Sequence, residues 1–284
     1  MSTDRVWFIT GTSTGFGRHL AELVLQKGEK VVATARRPSV LDDLVSKYPS
    51  DQLLVLKVDV NVSQDIVDAF AATKDKFGRI DVVVNNAAYA VMGELEAVSE
   101  EEARKLFDTN FWGAMCVSRE AVKFFREVNA PGVGGRLLQI SSITGLIGGA
   151  GMTYYAASKH ALEGASECLA AELDPAWNIK ITIVEPASFH TEGQAKTTWV
   201  PAHPAYSNPE LPASRMRNGW GTYSPPGDVR KAVEVIYKVA SLPEPPLHFL
   251  LGENAIMYAR KKLADLAADT NKYESWSEGL KKNP

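Results

Sequence analysis

Tyr155 and Lys159 stand four residues apart in a stretch, 153–173, whose apolar periodicity reads as a helix, so the two side chains share one face. A phenol with a pKa near ~10 is a poor base at neutral pH. A fixed positive charge one helical turn away stabilises the phenolate and removes that handicap. The pair is therefore suited to exchanging a proton with a reacting oxygen. The spacing is cheap by itself: the chain has 9 tyrosines, and Tyr258 and Lys262 repeat it. Context separates the two. Thirteen residues before Tyr155 lies Ser142, at the end of a strand-like run, whereas the same offset from Tyr258 reaches Pro245, which has no side-chain donor. Tyr258 reads as a packing residue of the last helix, and Tyr154 lies about 100° away from Tyr155 around its own helix.

A second constellation can hold an anion. Thr10-Gly11-Thr12-Ser13-Thr14-Gly15-Phe16-Gly17 follows the apolar run 6–10 and opens the amphipathic stretch 15–27. Glycines let a backbone turn tightly and approach a pyrophosphate, whose charge meets the free N–H groups of a helix N-terminus. The lysine of a P-loop is missing, which disfavours a nucleotide kinase.

These residues need a scaffold, and the alternation of apolar runs with helical stretches supplies one. Runs 6–10, 30–35, 53–58, 81–85, 136–141, 180–185 and 248–251 read as strands. Stretches 15–27, 64–77, 99–126, 153–173, 228–240 and 254–268 read as helices, the third with a capping box at Ser99 and Glu102. Near-continuous apolar strands such as Val82, Val83 and Val84 suit a sheet covered on both faces. The expected fold is α/β: a single Rossmann-like domain over 1–284, a doubly wound parallel sheet flanked by helices on both faces. Segment 187–226 breaks the rhythm with six prolines between Trp199, Tyr206, Trp220 and Tyr223. It has too few periodic apolar positions for regular core elements, and its aromatics need a surface to pack on.

The spacing Gly-x-x-x-Gly-x-Gly, with Asn85-Asn86-Ala87, Asn110, Ser142, Tyr155-x-x-x-Lys159 and Pro186-x-x-x-x-Thr191, resembles the short-chain dehydrogenase/reductase family over roughly residues 5 to 191. The resemblance implies a carbonyl reductase or alcohol dehydrogenase acting on a hydrophobic ketone or secondary alcohol. Ser142 would bind the carbonyl, Tyr155 would act as general acid/base, and Lys159 would lower its pKa and reach the cofactor ribose. Asn110 would hold a water that links Lys159 to solvent. Gly11, Thr12, Ser13, Gly15, Phe16 and Gly17 would cradle the cofactor, Thr12 and Ser13 through their hydroxyls. Asp59 would contact adenine, Asn86 would brace the sheet, and Pro186 and Thr191 would lie at the nicotinamide. Segment 187–226 corresponds to the substrate-covering region and is expected to act as a lid. Ser141 is the rival of Ser142 and is expected to face the other way. Ala88 and Ala187 replace usual glycines, which would cost something if the backbone needs positive φ there.

The second strand-like run ends Thr34-Ala35-Arg36-Arg37. The acidic residue that reads an NAD ribose is absent, and a guanidinium matches a 2′-phosphate in charge and shape. Arg36, with Arg37, points to NADP(H). An NADP-binding sensor that has lost catalysis is the alternative, but the Ser, Tyr, Lys and Asn set is complete. Extended-branch epimerases favour another glycine spacing.

Composition excludes other classes. The net charge of -3 without like-charge blocks disfavours nucleic acid. Cys116 and Cys168 sit in no metal-ligand pattern and read as buried thiols of a reducing compartment. No apolar run is long enough for a membrane span, so a cytoplasmic protein is expected, and the resemblance implies a homodimer or homotetramer.

Overall fold

The computed structural model describes residues 4–192 and 197–282. Seven strands form one parallel sheet: β1 (Val6–Ile9), β2 (Lys30–Ala35), β3 (Leu53–Lys57), β4 (Val82–Asn85), β5 (Gly135–Ile140), β6 (Ile179–Pro186) and β7 (His248–Leu251). Their spatial order is β7-β6-β5-β4-β1-β2-β3. The order reverses between β1 and β4, which pair with Trp7 opposite Val82 and Ile9 opposite Val84. At such a reversal the loops leaving the two strands part and open a crevice at their carboxyl ends.

Alternation along β1 divides the core into two layers. Trp7 and Ile9 pack with Leu20, Val24 and Leu25 of helix α1 (Gly15–Gln26) and with Val233 and Ile236 of the later helix Val229–Ala240. Val6 and Phe8 point to the other face, against Ile66 and Phe70 of α2 (Ser63–Phe77) and against Val117 and Ala121 beyond it. Complete burial of each such side chain stabilises the fold by about 1.5–3 kcal/mol. The expected α/β class and two-sided covering are what the structure has.

Three expectations fail locally. The stretch 99–126 is not one helix: α3 (Glu100–Phe107) and α4 (Ala114–Glu127) flank a π-helical turn, Asp108–Gly113. Its N-terminal capping box at Ser99 and Glu102 is formed. Segment 187–226 carries a regular element, the helix Pro212–Gly219. Proline at its first position lacks only an N–H that a helix start leaves unpaired anyway. Residues 193–196 of that segment lie outside the described residues. Finally, Tyr258 is exposed rather than packed, because its helix, Glu253–Tyr273, buries only Ala255 and Ala259.

The thiols also differ from expectation, since Cys168 is exposed and Cys116 half-buried, both free. No helix among the described residues is long and apolar enough to cross a membrane.

Candidate active site

The turn after β1 closes on the turn after β4. Gly11 and Gly15 have φ of 68° and 62°. A Cβ on Gly11 would lie 2.9 Å from the Ala87 backbone. Asn86 ties the two turns together: its Nδ2 donates to the carbonyls of Thr10 (2.8 Å) and Gly11 (3.1 Å), and its N–H donates to Thr10 Oγ1 (2.9 Å). A Cβ on Gly17 would lie 2.5 Å from both Asn86 Nδ2 and the Gly11 oxygen, so only glycine admits this brace. The sheet-bracing role expected of Asn86 has this geometric basis.

The crevice at the strand ends is a cleft of about 450 Å³. Gly11, Ser13, Gly15 and Phe16 form its floor on one side, with Arg36 and Asp59 at the ends of the neighbouring strand turns. Asn86, Pro186 and Thr191 also line it, and so do Ser142, Tyr155 and Lys159 at the opposite end. Thus the glycine turn and the Tyr–Lys pair, 140 residues apart in sequence, face a common space.

Four expected residues do not line the cleft. Thr12 is fully buried and its hydroxyl donates to the Thr34 carbonyl at 3.0 Å, so it is engaged in holding the turn to β2. Gly17 lies beneath the turn, against Asn86. Arg37 is exposed beyond the rim, at the start of the 3₁₀ turn Pro38–Leu41. Asn110 sits in the π-helical turn, 1% exposed, and its side chain both accepts from the Tyr89 N–H (3.0 Å) and donates to the Tyr89 carbonyl (2.9 Å). It also donates to Ser158 Oγ at 3.2 Å. The wide π turn rotates this asparagine inward, where a continuous α-helix would set a different register.

At the other end, α5 (Thr153–Glu172) presents Tyr155 and Lys159. Lys159 is 2% exposed and donates from Nζ to the Ile140 carbonyl at 2.9 Å. Burial pulls its pKa down to about 8, against the raising influence of Glu163. Burial also pushes the Tyr155 phenol above its ordinary value, opposed by a hydrogen bond with Ser142. The expected lowering by Lys159 is therefore not the dominant effect: the ammonium stands 6.0 Å from the phenol ring centre, and desolvation wins.

Ser142 Oγ accepts from the Thr144 N–H at 3.2 Å and so starts a 3₁₀ turn. Its neighbour Ser141 turns its hydroxyl toward Glu163. The two serines thus have different partners, although both line the cleft, so Ser141 does not turn wholly away from it as expected. Asp59 lines the cleft while its Oδ1 accepts from the Asn61 N–H at 3.1 Å. Ala88 and Ala187 line the cleft as well, and neither has positive φ, so the anticipated backbone cost is absent.

Sequence reasoning missed several walls, among them Tyr89, Met152, Phe189 and Thr197. They lie in irregular connections whose paths no periodicity announces. The aromatics of the proline-rich segment do find a surface. Trp220 packs edge-on against Trp199 with centroids 5.8 Å apart and reaches Tyr223 at 6.3 Å, and both Trp220 and Tyr223 line the cleft.

Comparison with known proteins agrees with this architecture. Residues 5–199 match the short chain dehydrogenase family. An uncharacterized oxidoreductase of Schizosaccharomyces pombe is 36% identical, covering 99% of this chain and 94% of its own. A crystal structure of a short-chain dehydrogenase from Streptomyces avermitilis superposes with a TM-score of 0.88 at 35% identity, covering 99% of this chain and 100% of the other. Another, from Burkholderia cenocepacia in complex with NADP, has a TM-score of 0.74 at 25% identity, covering 96% and 98%. The chain belongs to the short-chain dehydrogenase family and is an oxidoreductase of that family.

Proposed function

We propose that this protein is an NADP(H)-dependent carbonyl reductase, or in reverse an alcohol dehydrogenase, acting on a hydrophobic ketone or secondary alcohol. The observation that carries the reading is the convergence of Tyr155, Lys159 and Ser142 on the cleft whose far end is the glycine turn.

The residues present fit a dinucleotide. Gly11 and Gly17 let the turn close against Ala87 and Asn86 without a side chain in the way, and the N–H groups opening α1 favour an anion. Ser13, Gly15 and Phe16 would hold the pyrophosphate, Asp59 the adenine, Arg36 the 2′-phosphate, and Pro186 and Thr191 the nicotinamide. The cofactor supplies a hydride. Reduction then leaves an oxygen that gains charge and needs one proton. Ser142 Oγ would donate a hydrogen bond to that oxygen and orient it. Tyr155, kept protonated by burial, would give up the proton, and buried Lys159 would stabilise the phenolate left behind. Asn110 would act on Lys159 only through an intervening group, since its polar atoms are engaged with Tyr89 and Ser158.

Trp220 and Tyr223 give the cleft an aromatic wall, which supports a hydrophobic substrate. Segment 187–226 would serve as its cover, and a cytoplasmic homodimer or homotetramer completes the proposal. The test is turnover of a panel of aryl, alicyclic and aliphatic ketones with NADPH, followed at the nicotinamide absorbance. Absence of turnover across the panel contradicts the reading.

A further inference from the structure

Glu163 stands one turn beyond Lys159 on α5, in series with Tyr155 and Lys159 on that helix. Glu163 is 4% exposed. Two successive residues at the end of β5 are gripped by these two side chains. Lys159 Nζ donates to the Ile140 carbonyl at 2.9 Å, and Ser141 Oγ donates to Glu163 Oε1 at 2.5 Å. The next residue is Ser142. A Cβ at Gly145 would lie 1.9 Å from Glu163 Oε1 and 2.7 Å from Ser141 Oγ, so the Ser142–Gly145 turn closes over this pair only because residue 145 is glycine. A charged side chain at such a buried position needs compensation.

We propose that Glu163 is a positioning residue of the active site, whose carboxylate pins Ser141 so that Ser142 faces the cleft and whose negative charge holds Lys159 in its ammonium form. The inference rests on the carbonyl-reductase reading above and extends it by one residue.

The groups around Glu163 define how its charge responds to pH. Its own helix contributes Lys159 and Glu167, β5 contributes Ser141, β6 contributes Glu185, and β7 contributes His248. The nearest carboxylate oxygens of Glu163 and Glu185 and the nearest ring nitrogen of His248 lie within 4.8 Å of one another. His248 Nδ1 meets Glu185 Oε1 at 2.6 Å and its Nε2 meets Glu167 Oε1 at 3.2 Å, on the more exposed side of the cluster. Burial pushes the Glu163 carboxyl up to about 7, with Glu185 adding to the rise, while Ser141, His248 and Lys159 oppose it. Above that pH Glu163 is ionised and supports the Lys159 cation, whose pKa of about 8 includes that support. Loss of the charge at residue 163 must therefore move Lys159 deprotonation to lower pH.

The variants are Glu163→Gln, which keeps the shape and an acceptor for Ser141 but removes the charge, and Glu163→Asp, which keeps the charge. For ketone reduction, the alkaline limb of the kcat/KM profile should move down by about one pH unit in Glu163→Gln, as for the loss of a near opposite charge. Glu163→Asp should retain most of the wild-type limb. The titration midpoint of Lys159, read by NMR from the Cε of ¹³C-labelled lysine, should fall in parallel and needs no turnover. If no carbonyl is reduced by the wild type, the functional reading fails while the NMR titration still judges Glu163. A Lys159 midpoint unchanged in Glu163→Gln, or displaced as much in Glu163→Asp, would overturn the proposal.

Discussion

The Glu192 carboxylate accepts a hydrogen bond of 3.1 Å from the backbone N–H of Gly15, the first residue of α1. Helix N-termini attract anions because their first N–H groups have no partner within the helix. The same N–H belongs to the turn proposed to hold the cofactor pyrophosphate, so the carboxylate and the pyrophosphate would compete for it.

Neutralising this competitor should tighten cofactor binding. Glu192→Gln is expected to lower the Kd for NADPH by about two- to fivefold, matching the ~0.3–1 kcal/mol of one charge at a helix end. Isothermal titration calorimetry measures it directly. Weaker binding in the variant would mean that Glu192 assists the cofactor instead of displacing it.

The proposed preference for NADP(H) rests on Arg36, which is exposed and lines the cleft where β2 ends without an acidic residue. Arg36→Asp should raise the KM for NADPH at least about tenfold, a loss of ~1.4 kcal/mol, and change that for NADH far less. Steady-state kinetics with both cofactors decide it. Equal responses would remove the selectivity argument.

The proposed cover makes a prediction about exchange. Its described part is held by the Arg217–Glu94 ion pair at 2.5 Å, by Arg217 over the Trp199 ring, and by the pairing of Thr198 with Val91. Closure over ligands would exclude water and strengthen hydrogen bonds to the reacting oxygen. Amide hydrogen exchange in 187–226 should slow when NADP and a substrate analogue are added together. Equal protection with and without them would make the segment a fixed wall of the pocket.

How much of this was legible in the sequence differs by element. Strands such as Lys30–Ala35 and Val82–Asn85 form where their apolar, β-branched runs lie, because burial on both faces leaves a strong compositional mark. The same is true of Tyr155 and Lys159, whose four-residue spacing fixes a common helix face whatever surrounds it. Asn110 was found through motif order, but its inward direction depends on a π turn that a 3.6-residue period does not announce. Thr12 looked like a phosphate contact because a hydroxyl in a glycine turn carries no sign of its partner, which is Thr34 on another strand. Glu163 was overlooked for a related reason. An acidic residue on a helix ordinarily reads as solvated, and only the return of β5, β6 and β7 beside α5 buries it. The helix Pro212–Gly219 hid in a proline-rich segment, although Pro212 is itself a helix-start signal.

Tyr155 is proposed to transfer the proton, a role in which Tyr258 has no part. Tyr155 lines the cleft beside Lys159, whereas Tyr258 is exposed on the helix Glu253–Tyr273. The deciding measurement is NADPH-dependent reduction of the best ketone of the panel by Tyr155→Phe and Tyr258→Phe, with NADPH affinity measured alongside. Tyr155→Phe should lose at least about a hundredfold in kcat, the lower end of general acid catalysis, and keep its NADPH Kd within about threefold. Tyr258→Phe should keep wild-type kcat. Near-normal turnover by Tyr155→Phe, or a comparable loss in Tyr258→Phe with the fold intact, would contradict the account.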